Sequence, residues 1–125
     1  MLLIVGNVLA VLICVALGGL AVRFLVSPAS AAIGYGVPAR ADGDAAAYLS
    51  VKGSRDVAIS VLGIVLVCFA GPLAAGLFML VMTVVPLADA VIVSRNGGKT
   101  AVVFGVHVSA AALVLVDAVL LLLAS

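Results

Sequence analysis

Asp56, Asp89 and His107, with Arg55 and Lys52 beside them, are the side chains of this sequence best suited to moving a proton or steadying a charge. Two carboxylates, an imidazole and two cations form a set for acid–base chemistry. Asp89 or Asp56 would accept a proton, His107 would donate or relay one, and Arg55 or Lys52 would stabilise developing negative charge. In "AYLSVKGSRDVAIS", Tyr48, Lys52, Asp56 and Ser60 recur at every fourth residue and so share one helix face, with Arg55 about 100° away. The expected site therefore has Asp56, Asp89, His107 and Arg55 as catalytic groups and Arg23, Tyr48, Lys52 and Ser60 as ligand-binding groups. No metal and no cofactor is expected.

The elements that must hold these groups are membrane helices. Of 125 residues, 67 % are hydrophobic and only 9 % charged, against roughly 25 % charged in a soluble domain. A bilayer core about 30 Å thick takes roughly 20 apolar residues per helix, so the chain has room for about four spans. The expected architecture is all-α: a single integral membrane four-helix domain over 1–125, with spans about 2–26, 45–70, 73–94 and 101–124. Residues 27–44, rich in Pro, Gly and charge, form the one substantial loop, with a short helical turn after Pro28 that Gly34 ends and with Asp42 or Asp44 capping the next helix. "GPLAAG" at 71–76 is a tight connection, "SRNGGKT" at 94–100 is the second turn, and Pro86 kinks the third span by removing a backbone donor.

Arg23, Arg40, Lys52, Arg55, Arg95 and Lys99 all fall on the side of the 27–44 loop and the 94–100 turn. The positive-inside rule makes that side cytoplasmic, with both termini outside, in a multi-pass protein of the cell membrane. The net charge of +1 excludes a nucleic-acid footprint. Cys14 and Cys68 lie about 15 Å apart in depth and are read as small apolar residues rather than a disulfide. "ASA" at 29–31 is not read as a signal-peptidase site, because the apolar run before it is too long and lacks a basic start. Gly6, Ala10, Cys14 and Gly18 make a ridge of small side chains that lets helices approach closely in lipid.

Helical rise sets the depths of the polar groups. Counted from the uncharged surface at about 1.5 Å per residue, Asp56 comes near ~21 Å, Arg55 ~22, Asp89 ~24, His107 ~26 and Lys52 ~27. Three helices thus bring ionisable groups to one layer on the cytoplasmic side of the midplane, where charge is costly and turns to an interior or a wet cavity. A plainer account also fits: a Lys52–Asp56 intrahelical pair, Arg55 neutralising Asp89, and arginines snorkelling to headgroups. Asn7 and Asp117 share a second depth, roughly 8 to 10 Å from the uncharged surface, which predicts an interhelical hydrogen bond.

The ordered features "RFLVSPASAAIGYGVP", "AYLSVKGSRDVAISVLG", "PLADAVIVSRNGG" and "GVHVSAAALVLV" resemble a family of small four-helix integral membrane proteins of bacteria and fungi, catalogued only as a domain of unknown function. The resemblance covers nearly the whole chain and implies that Arg23, Lys52, Arg55, Asp56, Asp89 and His107 are its polar signature positions. It implies no reaction. The expected function is a polar pocket that takes a small lipophilic molecule from the membrane lipid and can perform isomerisation, cyclisation or epoxide opening on it. Two alternatives stand beside it: a small proton-coupled transporter working as a homodimer, and an accessory subunit whose charge cluster is structural.

Overall fold

Apolar runs interrupted by Pro and Gly become long helices joined at those interruptions. The computed structural model describes residues 1–38 and 43–125; Arg40 and Asp42, which the sequence places in the loop and at a helix cap, lie outside the described residues. Helix α1 is Leu2–Val26, α2 Pro28–Tyr35, α3 Asp44–Val65, α4 Gly71–Met82, α5 Val84–Arg95, α6 Thr100–Val102 and α7 Ser109–Leu123. Two π-helical segments, Leu66–Ala70 and Val103–Val108, continue α3 and join α6 to α7.

Three helical runs, Leu2–Val26, Asp44–Arg95 and Thr100–Leu123, are long and apolar enough to cross a membrane. The middle run reverses at Gly71, where φ is +83°, so four rods result. Gly53 faces Ala21–Leu25 and Gly63 faces Cys14, which sets α3 antiparallel to α1. Gly6 faces Leu121 and Gly76 faces Leu122, so α7 runs against both α1 and α4. The result is an up-down-up-down bundle.

The small-residue ridge of α1 performs the close approach expected of it. Gly6, Ala10 and Cys14 are buried, and Ser60 Oγ donates a 2.6 Å hydrogen bond to the Cys14 carbonyl across the α1–α3 seam. Packing and this bond, rather than water exclusion, hold helices together in lipid. Ala10, Ala75, Met79, Val114, Ala118 and Leu121 form the core where α1, α4 and α7 meet.

The tight connection and the Pro86 break are found where the sequence puts them, whereas the helix after Pro28 runs through Gly34 to Tyr35. The turn between the second and third rods is concentrated at Gly71, and helix resumes at once. The third rod is interrupted at Thr83, because Pro86 has no N–H to give the Met82 carbonyl four residues back; Thr83 Oγ1 bonds the Met79 carbonyl at 3.0 Å beside the break. The Asn7–Asp117 hydrogen bond is not formed, since neither Asp117 carboxyl oxygen has a partner among the described residues.

Asp117 is fully buried, and neither carboxyl oxygen has a hydrogen-bond partner among the described residues. A buried group that makes no bond destabilises its surroundings, so removing its capacity to ionise should not weaken the fold. Asp117→Asn is expected to hold or raise stability, by up to about 2 kcal/mol, in denaturant titrations of the protein in mild detergent. A loss of more than about 1 kcal/mol would mean that the carboxyl has a structural partner.

Candidate functional site

Ser27 and Pro28 end α1 and start α2, the proline sitting where a helix needs no N–H. After two turns Gly36 stops α2 in the left-handed conformation, φ 103°, donating its N–H to Ala32 and Ile33 at 3.2 Å. A side chain there would also strike Val93 and Val102, so both the backbone angle and the space require glycine. This stop leaves Tyr35 as the last residue of α2, with a carbonyl that has no partner in its own helix.

His107 supplies that partner. Its Nε2–H donates to the Tyr35 carbonyl at 2.8 Å, and the two rings pack edge to face with centroids 4.6 Å apart. His107 is buried and lies within the π-helical segment, whose wider turn is a form frequent at functional sites. Tyr35 also packs edge-on against Phe24, 5.5 Å between centroids, and its hydroxyl donates to Asp89 Oδ2. Burial first, then the hydrogen bond and charge of Asp89 and the charge of Asp56, push the Tyr35 hydroxyl above the ordinary tyrosine range. Tyr35 therefore keeps its proton and remains the donor.

Lys52 completes the group from α3. Its Nζ lies 2.5 Å from Asp56 Oδ2, one helical turn on, and stands 4.8 Å and 4.7 Å from the ring centroids of Phe24 and Tyr35. An ammonium held by a carboxylate and two aromatic faces is fixed in place.

These side chains cap a cavity of about 230 Å³. Its polar end holds Tyr35, Lys52, Asp56, Asp89 and His107, and below them the wall is apolar down to Cys14, Met79 and Val114. Leu20, Val85 and Leu113 line the cavity and remain accessible, so it is open sideways between α1, α5 and α7. A second cavity of about 220 Å³, bounded by α2, α3 and α5, shares Phe24, Tyr35, Lys52 and Asp89 as a common wall. The polar group thus stands as a partition, with an apolar chamber on one side and a chamber under α2 on the other.

Of the site residues expected from sequence, Lys52, Asp56, Asp89 and His107 come together at this cavity. The other four stand elsewhere. Arg55 is exposed, because the inward face of α3 is the Lys52–Asp56 row and Arg55 lies a hundred degrees off it. It does not neutralise Asp89, whose hydrogen bond comes from Tyr35. Tyr48 is 76 % exposed near the start of α3. Ser60 is buried but committed to the α1–α3 seam, and Arg23 is exposed in the last turn of α1, where a cation suits the helix dipole.

Sequence reasoning missed Tyr35 and Phe24. A tyrosine in a Gly-containing loop beside a membrane span has the ordinary interfacial placement, and nothing local marks it as an inward hydroxyl. The available signal was Gly36 directly after it, a stop that orients the last carbonyl of the helix.

No group of three or more His, Cys, Asp or Glu able to hold a metal occurs among the described residues. The arrangement can exchange a proton between Asp89 and a molecule in the cavity, with Tyr35 and His107 fixing the geometry. No curated protein and no solved structure matches the chain. Residues 6–121 match the model of a domain of unknown function, DUF4267, and the chain belongs to that family.

Proposed function

We propose that this protein is a multi-pass protein of the cell membrane whose polar-capped cavity, on the cytoplasmic side of the bilayer, binds a small lipophilic molecule. Asp89 exchanges a proton with it. The observation that carries this reading is the cavity of about 230 Å³, apolar along its length, open sideways and closed at one end by Tyr35, Asp89 and His107. Pockets for small molecules have this character: mostly apolar walls with a few placed polar groups that fix orientation. The sideways opening lets a molecule dissolved in membrane lipid enter without crossing a headgroup layer. Asp89 is the acid–base group, Tyr35 holds its carboxylate through one oxygen, and His107 positions Tyr35. Lys52 and Asp56 set the charge of the wall.

The reading is tested by native mass spectrometry of the protein extracted in mild detergent from its producing cells. A bound small molecule other than bulk phospholipid is expected on the wild type and absent from Ala110→Trp, which fills the cavity from α7. Identical spectra for the two proteins would contradict it.

A further inference from the structure

The charges that line the larger cavity do not balance, and the imbalance indicates a class of ligand. Building on the pocket reading above, we propose that the ligand is a lipophilic cation, a protonated amine on an apolar body, with Asp89 as its counter-ion. Among the charged side chains lining the cavity Lys52 is the cation, and Asp56 and Asp89 are the anions. Lys52 is committed to Asp56 at 2.5 Å and enclosed by the rings of Phe24 and Tyr35. Asp56 is therefore neutralised, whereas Asp89 has no ion pair among the described residues and receives a hydrogen bond from the Tyr35 hydroxyl alone. Arg23, Arg55, Arg95 and Lys99 are exposed and line neither cavity.

A carboxylate without a counter-ion in an apolar wall at membrane depth is costly, and a neutral hydroxyl offsets only part of that cost. A cationic ligand would offset the rest.

The remaining groups favour the same ligand. The His107 Nε2 proton is given to the Tyr35 carbonyl and is not open to a ligand. Phe24, Tyr35 and Phe78 line the cavity with ring surface that attracts a cation. The Tyr35 hydroxyl proton is given to Asp89 and one Lys52 N–H to Asp56, so neither of those two protons is open to a ligand. An anionic amphiphile would meet like charge at Asp89. A protonated amine would place its N–H against that carboxylate and its chain along the wall towards Val114.

The experiment compares decyldimethylamine, cationic at neutral pH, with the neutral decyl methyl ether, by calorimetric titration of the full chain in nonionic detergent against protein-free micelles. The amine is expected to bind the wild type at least about tenfold more tightly than the ether. Asp89→Asn should bring the ratio to about one, Asp89→Glu should retain it, and Lys52→Met, which frees Asp56 as a second anion, should widen it. Lys52→Met keeps the test decisive if Asp89→Asn does not fold. A wild-type ratio near one, or a ratio untouched by Asp89→Asn, overturns the assignment of a cationic ligand. Binding of neither compound to the wild type overturns the pocket reading itself.

Discussion

His107→Ala is expected to cost about 2 to 4 kcal/mol of stability and to release the end of α2. The imidazole donates to the Tyr35 carbonyl, the terminal carbonyl of a helix stopped by Gly36, and packs edge-on against the Tyr35 ring. Removing it leaves a part-buried carbonyl without a donor, worth about 1 to 3 kcal/mol, and opens a void where the ring stood. The effect should be local at first. Amides of residues 31–36 are expected to exchange hydrogen at least about tenfold faster, since one lost bond of about 1.4 kcal/mol is tenfold in an opening equilibrium. Amides of α1 and α4 should change little. His107→Gln, whose amide can donate from a similar reach, should recover part of the protection. Unchanged exchange across α2 in His107→Ala would show that the imidazole does not hold this helix end.

The second large effect is steric. Gly63 lies where α3 crosses α1 beside the third rod, and a Cβ added there would come within 2.8 Å of the Phe78 ring and closer still to the Cys14 sulfur. Relief would require α1 and α3 to part or Phe78 to swing into the cavity it lines. Overpacking of this kind costs roughly 1 to 3 kcal/mol per site and more where backbone must shift. Gly63→Leu is expected to exceed about 3 kcal/mol in denaturant titration and to disrupt ligand binding with the fold. Gly19→Leu is the matched control, because open space surrounds that position and its stability should stay within about 0.5 kcal/mol of wild type. Equal losses for the two variants would refute the close α1–α3 approach.

Much of the architecture was legible because lipid imposes a simple rule on sequence. Long apolar runs, broken by Pro28, Gly71 and the "NGG" turn, could only be helices, and their number followed from the length available. The convergence of Lys52, Asp56, Asp89 and His107 was legible from helical rise, which fixes depth along each rod. Rise says nothing about rotation of one helix against another. Arg55 shares the depth of the group and faces outward, and Asn7 shares the depth of Asp117 without bonding to it. Tyr35 was illegible for a related reason. Its role depends on how α2 folds back over the bundle, which is set by Gly36 packing against Val93 and Val102 from two distant helices. The two π-helical segments carry no signature in composition, and one of them contains His107.

Occupancy of the cavity beneath Tyr35, Asp89 and His107 by a lipophilic molecule can be read from tryptophan fluorescence. The chain has no tryptophan, so Phe78→Trp places a single emitter in the cavity wall and Phe69→Trp places one on the outer surface, where Phe69 is 85 % exposed. Quenching by a brominated decyldimethylamine in reconstituted vesicles reads occupancy directly. The cavity account predicts saturable quenching of the tryptophan at 78, displaced by unbrominated amine, and shallow non-saturating quenching at 69. Linear, non-displaceable quenching of equal slope at both positions would mean that the compound only dissolves in the bilayer, and would contradict the account.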